Sequence, residues 1–160
     1  MDCQSLTIDR FRSADDLLRI MRHPDVWPWI TDDGLRDPNA LRIPDAMLSD
    51  MIYAVCVDSE PVGFAMFEPR STALCEFHGA LLPEWRGAVG MRLGRMAIRR
   101  FWQDFGVDKL VALCPQGNRA GQRMNAALGF AREGLMTRAY RRDGRLEDLI
   151  VFGMSREGGA

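Results

Sequence analysis

Two side chains near the middle of the chain are of the right type and spacing to move a proton. Ala73 to Leu82 reads as a strand. Its two-residue period puts Glu76, His78 and Ala80 on one face and Cys75, Phe77 and Gly79 on the other. Glu76 or His78 can take a proton directly or through a water molecule. Histidine has the ordinary pKa better suited to work near neutrality. A hydrogen-bonded residue without a catalytic role is the plainer alternative for each.

The stretch that follows can hold an anion. Leu81-Leu82-Pro83-Glu84-Trp85-Arg86-Gly87-Ala88-Val89-Gly90-Met91-Arg92-Leu93 passes from strand through a small-residue turn into a helical pattern. The first N–H groups of a helix have no intrahelical partner, and the helix dipole favours negative charge there. Gly87, Ala88 and Gly90 leave that backbone approachable, and Arg86 and Arg92 add positive charge. Taken alone, such a turn is a weak signal, since many glycine-containing turns before helices bind nothing.

The elements that must position these groups follow from periodicity. Leu6 to Phe11 alternates as a strand, and Ser13 with Asp16 forms a capping pair before a helix ended by His23-Pro24. Asp25 to Asp45 is irregular and carries Trp27 and Trp29, which either line a pocket or cover one edge of the core. Pro44 to Ser49 suggests a short helix. Met51–Val57 and Val62–Phe67 read as a hairpin turned by Asp58-Ser59-Glu60-Pro61. Val89, Leu93, Met96, Ala97 and Phe101 form the buried stripe of a helix from Ala88 to Phe105, closed by Gly106. Lys109–Cys114 is a buried strand. Asn118 caps a short helix that ends at Gly129. Glu133–Arg142 and Leu146–Met154 form a hairpin about Asp143-Gly144. The order predicts a mixed α/β sheet, mostly antiparallel, with a parallel pair where the Ala88–Phe105 helix crosses over.

Composition bounds the rest. The 160 residues suit one domain, taken as 1–160, with 47% apolar and 27% charged residues. A net charge of −1 gives no global attraction to nucleic acid or to a membrane surface. Cys3, Cys56, Cys75 and Cys114 are scattered, and His23 and His78 are the only histidines. No metal site is therefore expected, and free thiols in a reducing cytoplasm are the better reading. No signal peptide or membrane-spanning run is visible.

On these residues the chain resembles the GCN5-related N-acetyltransferase (GNAT) superfamily from about Met51 to Arg156. Leu82-Pro83-Glu84-Trp85-Arg86-Gly87 looks like the family's strand end and pyrophosphate loop. Asn118-Arg119-Ala120, Ala127-Leu128-Gly129-Phe130 and Arg132-Glu133-Gly134 resemble its asparagine-containing helix and the segment after it. The closing Asp143–Asp148 is similar to the terminal hairpin of the subgroup with ribosomal-protein acetyltransferases. The front piece, His23–Trp27 with Thr31–Gly34, is more loosely similar to small bacteriophage and prophage proteins.

The resemblance implies a sheet of about six to seven strands flanked by helices, in the acyl-CoA N-acyltransferase fold. It implies acetyl-CoA as cosubstrate and an amine acceptor, on a small molecule or a protein, with direct attack on the thioester. Ala80, Leu81 and Leu82 would bond the pantetheine arm through their main chain. Gly87, Ala88, Val89, Gly90 and Met91, with Arg86, would hold the pyrophosphate, and Asn118 would reach the arm. A base from the strand carrying Glu76 is also in keeping with the family. The resemblance leaves a homodimer open, since many such proteins pair through their terminal strands.

Two departures stand out. From Arg86, the family's loop pattern places small residues where this chain has Val89 and Met91. Asn125 stands where many members carry a tyrosine that protonates the departing thiolate. Water, Tyr140 or another group would have to replace it. These departures also fit a second reading, a binding or structural module on an acetyltransferase scaffold with weak or lost catalysis.

Overall fold

The alternating segments form seven strands and the 3.6-residue patterns form four α-helices among the described residues, 4–156 of a computed structural model. Cys3 and the Glu157–Ala160 tail lie outside the described residues. In spatial order the sheet is β1 (Leu6–Arg10), β2 (Ile52–Val57), β3 (Glu60–Pro69), β4 (Leu74–Leu81), β5 (Lys109–Pro115), β7 (Arg145–Ser155), β6 (Ala131–Arg142). Every neighbouring pair is antiparallel except β4 with β5. The sheet is mixed and mostly antiparallel, with its one parallel pair where α3 (Ala88–Asp104) crosses over, as the element order predicts.

Helices cover both faces. α3 (Ala88–Asp104) and α4 (Arg119–Leu128) pack on one side, where Leu93 and Phe101 are fully buried and Phe101 stacks on Phe67 at 3.9 Å. A Leu93→Ala change there removes about 2–5 kcal/mol. α1 (Ala14–Met21) covers the other side, with Leu17 and Ile20 against Ala54, Cys56 and Phe64. The cysteines Cys56, Cys75 and Cys114 are free and buried.

The parallel pairing is short. It joins Leu74 to Lys109, Cys75 to Leu110 and Glu76 to Val111, and then stops. Beyond it β4 follows β3 as far as Leu81 opposite Gly63, while β5 follows β7 as far as Pro115 opposite Leu149. The two strands part because each keeps its antiparallel partner, and the twist of a sheet separates them further.

Several local expectations are corrected. Ser13 makes no side-chain cap; the Ala14 N–H is taken by Asp45 Oδ1 at 2.7 Å, from a residue far along the chain. The first hairpin turns on Asp58 and Ser59, with φ of 49° and 68°, and Glu60 and Pro61 already belong to β3. α3 ends at Asp104 and Phe105 after it is extended, so Gly106 is no left-handed cap. The irregular front segment holds one α-helical turn, α2 (Trp27–Ile30), and a 3-10 turn at Pro38–Ala40, and Pro44–Ser49 contributes only a 3-10 turn at Asp45–Met47. No helix among the described residues is long and apolar enough to cross a membrane.

Candidate functional site

A cleft of about 430 Å³ lies beside the free end of β4. One wall is β4 itself, at Gly79, Ala80 and Leu81. The second is the turn into α3, at Arg86, Gly87, Gly90 and Met91. The third is the start of α4 from Asn118, with Met124 and Ala127. The fourth is the front segment, with Asp25, Val26, Trp29 and Ile30. The short parallel ladder and the crossover helix therefore place the anion turn, the strand and the asparagine around one space.

The turn has the expected electrostatics, over a narrower span. Gly87 takes φ 86°, ψ −140°, a conformation that only glycine adopts without strain, and it directs the chain into α3. Met91 N–H already donates to the Gly87 carbonyl at 2.9 Å. Met91 thus offers no amide; the amides ahead of the first helical bond are those of Gly87, Ala88, Val89 and Gly90. No side chain caps this end among the described residues. Gly90 is required for space. A Cβ there would lie 2.8 Å from the Trp85 carbonyl and 2.7 Å from Leu81 Cδ1. Val89 and Met91 are half-buried and pack against the core beneath α3, and Met91 also lines the cleft.

Arg86 is committed elsewhere. Its Nε donates to the Leu81 carbonyl at 3.2 Å and its Nη2 to the Asp25 carbonyl at 3.0 Å. It straps β4 to the front segment across the cleft, because two unpaired carbonyls face it there.

The strand also differs in detail. Leu82 N–H donates to the Val62 carbonyl at 2.9 Å, and Leu82 is 8% exposed in the core below α1. By the alternation of an antiparallel ladder, Ala80 also spends its main-chain groups on β3, opposite Phe64. Gly79 and Leu81 are then the residues whose main chain turns to the open side. Leu81 also lines the cleft. Ala80 contributes only a small side chain to the wall, and Leu82 contributes nothing. Gly79 was missed; the same period that sorts side chains would have found it, since main-chain groups alternate too.

Asn118 caps α4, accepting the Gly121 N–H on Oδ1 at 2.9 Å, and it lines the cleft. Asn125 does not line it; the residue is 6% exposed, inside the fold. Tyr140 is also withdrawn, its hydroxyl donating to the Thr31 carbonyl, with burial raising its pKa. Burial pushes the Cys114 thiol up to about 11, which leaves it inert at neutral pH.

Glu76 and His78 stand off the cleft. Glu76 is 6% exposed, and its Oε2 accepts from Arg70 Nη2 at 2.6 Å and Nε at 2.9 Å. His78 Nε2 lies 3.4 Å from Glu76 Oε1 and 3.6 Å from Glu68 Oε2, and it is buried without a hydrogen bond. His78 shares its strand face with Ala80, about 7 Å further along at 3.4 Å per residue. His23 is structural, its Nδ1 accepting the Asp25 N–H at 3.2 Å.

The front wall is clipped to the far hairpin. Asp33 accepts N–H bonds from Asp143 at 2.8 Å and Gly144 at 2.7 Å, and its own N–H donates to the Arg141 carbonyl at 3.0 Å. The Gly144 amide outweighs burial and, with the Asp143 amide and Arg36, holds the Asp33 carboxyl below the ordinary value. Arg142 stacks on the Trp29 ring at 4.2 Å. The two tryptophans thus divide the roles considered for them: Trp27 is 8% exposed in the core, and Trp29 faces the cleft.

A family model described as an acetyltransferase (GNAT) domain matches residues 5–131. No curated protein sequence gives a significant match. Many solved structures share the fold. Ribosomal-protein-S5-alanine acetyltransferase from Vibrio fischeri is 16% identical, with 98% of each chain covered and a TM-score of 0.73. Mycobacterium smegmatis RimJ, solved with CoA-disulfide, is 16% identical over 95% of this chain and 82% of its own, with a TM-score of 0.74. Spermidine N-acetyltransferase from Vibrio cholerae, solved with CoA and spermine, is 14% identical over 94% and 95%, with a TM-score of 0.73.

Proposed function

The chain belongs to the acetyltransferase (GNAT) domain family, and from that premise we propose that its cleft binds acetyl-CoA and passes the acetyl group to an amine. The observation that supports this reading best is the start of α3. Its amides are uncapped, its dipole is unopposed, and it opens on a cleft of about 430 Å³ beside an unpaired strand end.

In this reading the pyrophosphate rests on the amides of Gly87 to Gly90. The pantetheine arm runs between α4 and β4 and bonds the main chain of Gly79 and Leu81 as an added strand would. The Leu81 N–H polarises the thioester oxygen. The neutral amine attacks the carbonyl carbon from the side of Trp29 and Ile30, the C–S bond breaks, and the sulfur leaves as thiolate. The amine proton passes to His78, with Glu76 behind it, through water along the shared face of β4. Protonation of the thiolate falls to water, because Asn125 and Tyr140 are both turned away.

Calorimetry with CoA and acetyl-CoA tests the reading. Binding at sub-millimolar concentration is expected, and no heat at millimolar ligand rejects it. The withdrawal of Asn125 and Tyr140 also favours a second reading, a scaffold that binds CoA without turning it over. A thiol-release assay over a panel of amines separates the two, since turnover on any of them removes the second.

A further inference from the structure

The polar cluster behind β4 has a property that the acyl-transfer reading does not use. Glu68 and Glu76 are direct cross-strand partners on β3 and β4, and His78 lies two residues along the same face. Like charges placed opposite each other destabilise a sheet unless a cation joins them. Arg70 supplies one positive charge, donating to Glu76 Oε2 and, at 3.1 Å, to Glu68 Oε2. One negative charge remains. The Glu76 side chain is 8% exposed and all its hydrogen bonds fall on Oε2, so Oε1 has no donor.

His78 Nε2 completes the picture. It is buried, lacks a hydrogen-bond partner, and points between the carboxylates at 3.4 Å and 3.6 Å. These gaps are too long for good hydrogen bonds. They match the separation of neighbouring ligands around a tetrahedral zinc ion, about 3.4 Å for bonds of about 2.1 Å. One ligand atom from each of the three residues lies within 4.8 Å of the other two. Arg70 then occupies the position of an outer-layer group that fixes ligating carboxylates.

We propose that Glu76 Oε1, Glu68 Oε2 and His78 Nε2 form a three-ligand site for a divalent transition metal of the zinc class. The donor set of one imidazole and two carboxylates suits zinc, cobalt or manganese, and lacks the soft sulfur that would select copper(I). Glu68 and His78 are partly open to solvent, which gives the ion an entry path and leaves its fourth position to water. Binding more than offsets the leftover carboxylate charge, leaving one net positive charge on the cluster with Arg70 counted. It also occupies the histidine lone pair, so zinc would suppress acetyl transfer. That last consequence rests on the acetyl-CoA reading; the site itself does not.

The test uses the full chain after removal of metal by a chelator. Cobalt(II) is added and the visible ligand-field band recorded. One equivalent is expected to develop the band, zinc to displace it, and zinc to raise the melting temperature of the wild type. Glu68→Gln and His78→Ala are expected to abolish all three effects, with circular dichroism confirming that each variant is folded. Glu68 lies at the surface, so Glu68→Gln decides the matter if His78→Ala does not fold. No band with cobalt in excess, or a band that persists in folded Glu68→Gln, overturns the proposal. Loss of CoA binding without loss of the cobalt band would overturn the acetyl-CoA reading alone.

Discussion

Two helices begin at the same cleft and end their chains of amides in opposite ways. α4 starts at Asn118, whose own Oδ1 takes the Gly121 N–H at 2.9 Å. α3 starts at Gly87, which has no side chain to fold back, and no other residue takes over the role among the described residues. α1 follows the pattern of α4, with Asp45 brought in to hold the Ala14 N–H at 2.7 Å. An uncapped helix start costs about 1 kcal/mol relative to a capped one. Of the three helices of eight residues or more among the described residues, only α3 bears that cost. The capped ends serve stability, and the free end of α3 is the one that the proposed function assigns to the pyrophosphate.

The largest test of this contrast is Gly90→Val. Its Cβ would enter the space held by the Trp85 carbonyl and Leu81. Crowding of this kind costs about 1–3 kcal/mol of folding stability, and the displaced turn should raise the CoA dissociation constant about tenfold or more in calorimetry. A smaller effect is expected from Asn118→Ala. Urea unfolding should show a loss of about 0.5–2 kcal/mol for the missing cap. CoA binding should weaken less than in Gly90→Val. If Asn118→Ala weakens binding more, α4 and not α3 is the anion site, and the contrast is reversed.

The smallest effect lies at the front wall. The amides of Gly144 and Asp143 hold the Asp33 carboxyl below its ordinary value of 3.8. A lowered folded pKa means that the clip is fully formed above that ordinary value. It is lost as the pH falls through the lower folded one. The melting temperatures of wild type and Asp33→Asn should therefore differ near neutrality and converge in acid, where both side chains are neutral. A gap that stays constant down to strong acid would show that the carboxylate charge does not hold the hairpin to the front segment.

Much of the site was legible because it depends on spacing within single elements. The glycine-rich turn, the helix that follows it, the Asn118 cap and the two faces of β4 all follow from periods of 3.6 and 2. What was misplaced depends on partners distant in sequence. Arg86 looked like a phosphate ligand, but the Asp25 carbonyl, far along the chain, claims it. Leu82 looked like a donor to the arm, but Val62 takes its N–H. Glu76 and His78 were legible as two groups on one face of their strand; that the hairpin of β3 and β4 also brings Glu68 opposite Glu76, with Arg70 at its end, was not.

The amino-acid sequence on its own determined the succession of elements, the crossover that makes one strand pair parallel, and the place of the amide-rich turn. These rest on local propensity and on apolar periodicity, which need only near neighbours. Only the tertiary structure decided which polar groups are free. A donor or acceptor is available to a ligand only if no other part of the chain has reached it first, and that depends on how β2, β3 and the front segment pack against β4.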